Sequence, residues 1–242
     1  SMCLKKWKNV NPLNGPRKGF MEDISQAITQ ICEIQGDSIW SPMADQVVTT
    51  RGVITAVARR GFFLQNEKRN PNSHVSDAIF VYSRGWPAIK NALVEVTGQV
   101  IDYVKGDHGR PFTQIKMTEA SVLQRRGPQI IPILLSAHNI PVENADLSVF
   151  LNGLESMLVS IEAGQTFIAP SNPYGDYVLM LDADGPIETE LRTELGGALV
   201  NHENPLRWYP GFRLTDYSKA PRLNVGSKLL SRIMGPMNYR VE

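Results

Sequence analysis

RGVITAVARRGFFLQNEKR, residues 51–69, is the stretch on which the fold turns. β-Branched and aromatic residues lie on both sides of Arg59-Arg60-Gly61, a pattern that predicts two antiparallel strands joined by a turn. Extended backward to QVVTT, the first strand becomes long, and Gly52 falls in its middle, where a bulge or sharp coil is expected. Phe62 and Phe63 must point to opposite faces, because successive strand residues alternate. One is therefore core, and only the other is available to a ligand.

Working outward, SDAIFVYS (76–83), ALVEVTGQVIDYV (92–104) and TQIKMTEASVLQ (113–124) read as further strands, with Gly98 central in the second of these. Strands with mid-strand glycines suit a small, strongly coiled antiparallel barrel. Residues 1–30 read as a lead-in with a short helix. In MEDISQAITQICEIQ the helix is expected to end near residue 29 and a strand to follow. Residues 127–152, with Pro128, Pro132 and Pro141, read as a linker with a short helix near 144–151.

The second half repeats the first in outline. Residues 153–170 stand for the first long strand, GDYVLMLD (175–182) for GFFLQNE, and FRLTDYS (212–218) for AIFVYS. LNVGSKLLSRIMGPMNYRVE (223–242) parallels IKNALVEVTGQVIDY, with Gly235 against Gly98 and Tyr239 against Tyr103. Internal repeats change a fold assignment. The expected fold is mainly β: two tandem OB-like antiparallel barrels, 31–126 and 153–242, with short helices and a long insertion at 183–211. The second barrel is expected to stop before its closing strand, as in a truncated chain.

Composition sets limits. Of 242 residues, 42% are hydrophobic and 20% charged, enough to bury a core. The formal net charge of +1 supplies no global field for nucleic acid or anionic lipid, so anion binding must rest on a local patch. No apolar run approaches the roughly 18 residues a membrane span needs. Ser1 ahead of Met2 reads as a remnant of tag removal, and a targeting segment is expected to have been cut away. Cys3 and Cys32 cannot build a structural zinc site alone, and two free thiols are expected ahead of a disulfide.

Several stretches resemble the non-catalytic, OB-like region of large bacterial extracellular nucleases of the endonuclease/exonuclease/phosphatase family. They are EIQGDSIWSPMADQVVTTRGVITAV, GFFLQ, SDAIFVYS and VEVTGQVIDY, then LESMLVSIE, YGDYVLMLD, NPLRWYPGFRLTD and LNVGSKLLSRIMGPMNY. The resemblance covers residues 31–242 in order. It implies a secreted or periplasmic location and a neighbouring metal-dependent phosphodiesterase domain, with magnesium or calcium needed there alone. That domain's motifs, a Gly-Asp-x-Asn strand end and a Ser-Asp-His, are absent. Ser76-Asp77 is followed by Ala78, and Asp107-His108 is preceded by Gly106. No catalytic or metal-binding residue is carried over, and no cofactor is expected in this chain.

The candidate residues are therefore those of a binding module. OB folds bind single-stranded nucleic acid on strands 2 and 3 and adjoining loops, with aromatics stacking on bases. Arg59, Arg60, Phe63, Gln65, Lys68 and Arg69 form the first candidate wall. Lys105, His108 and Arg110, in KGDHGRPF, lie on a loop that would flank the same groove, and Trp86 follows a strand end. The bland readings are a solvated basic tip, a polar loop and a tryptophan capping the barrel. Arg207, Trp208 and Tyr209 are the candidates for docking a catalytic domain. The expected partners are DNA or RNA, single-stranded in preference, and that domain. The other reading open to the sequence is a scaffold that binds no nucleic acid.

Overall fold

The computed structural model describes residues 27–69, 74–104, 110–136, 138–141, 144–168, 170–171, 176–181, 211–213 and 221–237. It is mainly β, with two hydrophobic cores. No helix among the described residues is long and apolar enough to cross a membrane.

The first core sits inside a closed barrel of β1 (Val47–Ala58), β2 (Gly61–Gln65), β3 (Ala78–Tyr82), β4 (Leu93–Tyr103) and β5 (Phe112–Gln124), ordered β1-β2-β3-β5-β4. Every pairing is antiparallel except β3 with β5, where Phe80 lies opposite Gln114 and Tyr82 opposite Lys116. Alternation sends Val48, Ile54, Phe62, Leu64, Ile79, Val81, Val94, Val96, Val100 and Ile115 inward. The long strands coil enough to pair with two neighbours each. Gly98 is where β4 permits this: its register with β5 shifts between Thr97 and Gly98, and a Cβ there would lie 2.4 Å from the Lys116 carbonyl oxygen. The expected irregularity at Gly52 falls instead between Ile54 and Ala56 of β1.

The entrance to the barrel differs from the sequence expectation. Residues Ile31–Gln35 are a helix, α1, where a strand was expected, and the strand-like pairing precedes it as a parallel bridge between Ile28 and Thr49. Apolar residues at 28, 31 and 34 recur every third position, and that spacing prevails over the β-branched content. Ile31 and Ile34 share one face of α1 and plug the core, while Glu33 Oε2 accepts a hydrogen bond from the Gln30 N–H at 3.3 Å.

The second half has its own core of Leu135, Leu154, Val159, Ile161, Phe167, Tyr177, Leu179 and Leu181. Its described strands are β6 (Ile133–Leu134), β7 (Leu158–Ile161), β8 (Thr166–Phe167), β9 (Asp176–Met180), β10 (Gly211–Arg213) and β11 (Ile233–Pro236), with helix α2 (Asn144–Asn152) ahead of β7. They form two three-stranded sheets, β10-β9-β8 and β11-β7-β6. The expected linker thus contributes β6 and Leu135 to the second half rather than standing apart from it.

Three local pairings are alike in the two halves. Thr29 N–H donates to Thr49 O ahead of α1, and Leu135 N–H donates to Ser160 O ahead of α2, both at 2.8 Å. Val48 of β1 faces Gly98 of β4, and Val159 of β7 faces Gly235 of β11. The antiparallel pair β2–β3 is matched by β9–β10.

Candidate functional site

The outward face of β3 and β5 gathers aromatic and polar side chains. Parallel register sets Phe80 and Tyr82 beside Gln114 and Lys116. Phe63, Phe80 and Phe112 form a row of tilted rings across β2, β3 and β5, with centroids 5.0 and 5.8 Å apart. Phe63 is buried at one end of the row, whereas Phe80, Phe112, Tyr82 and Gln114 are half-buried and Lys116 is exposed.

The exposed β1–β2 turn, Arg59-Arg60, joins this face at the Tyr82 end, where Ser83 N–H donates to Arg60 O at 2.9 Å. Arg84 Nε donates to the Tyr82 hydroxyl at 2.8 Å. Arg59, Arg60, Arg84 and Lys116 therefore gather around a short aromatic strip. Half-exposed rings offer faces for stacking, and the cations suit phosphate.

The other sequence candidates distribute differently. Phe63, expected to stack on a base, is only 6% exposed and packs on Phe80. Gln65 is 2% exposed, and its Oε1 accepts a hydrogen bond from the Leu158 N–H at 2.8 Å, so it is structural. Trp86 is half-buried and closes the barrel core, 5.3 Å from the Phe62 ring. Phe62 and Phe63 do point to opposite faces, but both are buried.

Lys68 and Arg69 are exposed but follow the far end of the five-residue β2, on the order of 15 Å from the arginine turn at about 3.3 Å per residue. Half-buried Arg110 approaches β5 at that same far end. The basic residues thus fall into two groups rather than one continuous wall. Lys105, His108, Arg207, Trp208 and Tyr209 lie outside the described residues. Tyr82, Arg84, Gln114 and Lys116 were not among the sequence candidates. The alternation in AIFVYSR and TQIK could have marked them as sharing a face, but the parallel crossing of β3 and β5 is invisible in sequence.

At the far end the second half lies against the barrel. Gly153 abuts His74, whose carbonyl oxygen would be 2.6 Å from a Cβ at that glycine. Asn152 Nδ2 donates to Ser38 O at 3.1 Å, and Ser76 Oγ donates to Glu155 O at 2.5 Å. The Glu155 side chain, in a residue 5% exposed, enters where the β3–β5 ladder has opened. Its Oε1 accepts the Thr113 N–H at 3.1 Å and faces Gln35 Nε2 at 3.5 Å, while Gln35 Nε2 donates to Ala78 O at 2.6 Å. Burial pushes the Glu155 carboxyl up to about 7, against the pull of the Thr113 and Gln35 hydrogen bonds and of Arg110, with Asp102 adding a little upward. Asp102 is itself held by Ser41 N–H at 2.9 Å and Thr113 Oγ1 at 2.7 Å.

Among the described residues no group of three or more His, Cys, Asp or Glu side chains could hold a metal ion. Residues 148–242 match the family model described as Domain of unknown function (DUF8508). No curated protein and no solved structure matches the chain. The matched segment opens within α2 and takes in all of β7 to β11.

Proposed function

We propose that the chain is a nucleic-acid-binding, non-catalytic accessory module of an exported metal-dependent nuclease, built from two OB-like units in tandem. The strand order β1-β2-β3-β5-β4 with a parallel β3–β5 contact supports the OB reading of the first unit. The repeated pairings, Val48 with Gly98 and Val159 with Gly235, support a second unit of the same ancestry. A Cβ on Gly98 would strike β5, whereas one on Gly235 meets nothing within 4 Å among the described residues. Magnesium or calcium would act only in a neighbouring catalytic domain, and export to the periplasm or medium follows from the same family resemblance.

The observation that carries the binding reading is the alignment of Phe80, Tyr82 and Lys116 on one face, beside Arg59, Arg60 and Arg84. Single-stranded DNA or RNA suits it, because unpaired bases can stack while the backbone follows the cations. A second reading, a scaffold for a catalytic domain that ignores nucleic acid, is favoured by the seam at residues 152–158, which engages Gln65 at the far end of the face.

Fluorescence anisotropy with a labelled single-stranded oligonucleotide separates the two. The binding reading expects affinity that falls steeply with salt and drops about tenfold or more in the triple variant Arg59→Ala, Arg60→Ala, Lys116→Ala. The pair Lys68→Ala, Arg69→Ala should change it much less. No salt-sensitive binding by the wild-type chain would leave the scaffold reading standing.

A further inference from the structure

We infer that Tyr103 is a further binding residue, the outer platform of a path on which single-stranded nucleic acid crosses β3, β5 and β4 in turn. The inference rests on the nucleic-acid-binding reading of this face and extends it to a strand, β4, that the reading leaves out. Tyr103 stands opposite Phe112 in the antiparallel register of β4 and β5. Side chains at such paired positions lie on one face, with Cβ atoms about 4.5–5.5 Å apart. The row of Phe63, Phe80 and Phe112 thus gains a fourth ring, and the four come from strands that neighbour one another in the order β2-β3-β5-β4. Tyr103 is 52% exposed, the most open ring of the four.

The row is closed at one end and open at the other. Beyond Phe63, the second half covers the outer side of β1 and β2. Gln65 accepts from the Leu158 N–H there, and Val53, opposite Gln65 in register, is buried although it is not among the barrel-core residues. A ligand lying on Phe80 and Phe112 therefore continues over β4. That direction carries no carboxylate. The outward positions beside the row are Gln114 and Lys116 on β5 and, opposite them, Ile101 and Gln99 on β4. Asp102, next to Tyr103, turns to the other face, where the Ser41 N–H and Thr113 Oγ1 hold it. Lys116 pairs with Tyr82, toward the arginine turn. Phosphates are thus drawn to the Tyr82 end, while the Tyr103 end offers ring, amide and aliphatic surface to bases.

Fluorescence anisotropy of a labelled oligothymidylate with the full chain compares the wild type, Tyr103→Ala and Tyr103→Phe. Tyr103→Ala should weaken binding at least about fivefold, because one base–ring stack is lost, while Tyr103→Phe keeps the wild-type affinity. The salt dependence of binding should be the same in Tyr103→Ala as in the wild type, since no phosphate contact is removed. In the wild-type complex, nuclear Overhauser contacts are expected between the Tyr103 ring and thymine protons. They decide the matter even where Tyr103→Ala fails to fold. Wild-type binding with Tyr103→Ala unaffected, an equal loss in Tyr103→Phe, a shallower salt dependence in Tyr103→Ala, or no contact between Tyr103 and thymine would overturn the Tyr103 platform alone. No salt-sensitive binding by the wild-type chain would overturn the platform together with the reading it rests on.

Discussion

A methyl group on Gly61 would sit 1.9 Å from the Val81 carbonyl oxygen, so the first residue after the arginine turn has no room for any side chain. This close approach lets β3 follow β2 from the turn onward and brings Ser83 under Arg60. Gly61→Ala must push β3 away, and is expected to cost about 1–3 kcal/mol, read as a lowered denaturant midpoint. Unchanged stability would mean that the turn relaxes freely. The neighbouring phenylalanines carry a related lesson. Alternation correctly assigns them opposite faces, yet the outward Phe63 is buried by the aromatic row on the next strands. Period two tells a residue which way it points, not what else points there.

Among the elements, β2 has two different sides. Phe62 and Leu64 fill the barrel, while Gln65 reaches the second half through the Leu158 N–H. Gln65→Ala would leave that donor without its side-chain acceptor, at an expected cost of about 1–3 kcal/mol. Because the bond crosses between the halves, the loss should appear as faster hydrogen exchange at Leu158 as well as lower global stability. Protection at Leu158 equal to wild type would contradict its role in the seam. α1 shows where local sequence is ambiguous. A strand is expected from ITQICEIQG, but Ile31 and Ile34 satisfy the barrel only when three residues span about one helical turn.

For the whole molecule, the five barrel strands and the helix near 144–151 were legible, because alternation, glycine and proline mark them. Gly98 faces Val48 of β1, and Gly235 faces Val159 of β7. The groove was less legible. Lys68 and Arg69 are close to Arg59 and Arg60 in sequence, yet β2 carries them to the opposite end of the barrel. Lys116 is far away in sequence and lies on the arginine side, through a parallel contact that only closure of the barrel creates. Glu155 was equally hidden, since nothing in LESMLVSIE separates a buried acid from a solvated one. Charge neighbourhood in a barrel is set by strand order, which short-range patterns do not encode.

The outward face of β3 and β5 is the proposed binding surface for single-stranded nucleic acid. An NMR titration of the labelled chain with a short oligothymidylate is the decisive test. The expected shifts concentrate on the amides of Arg59, Arg60, Phe80, Tyr82, Arg84, Gln114 and Lys116, weaken as salt is raised, and leave Gln65 and Leu158 in place. Shifts confined to Lys68, Arg69 and Arg110, or none at saturating oligonucleotide, would contradict it.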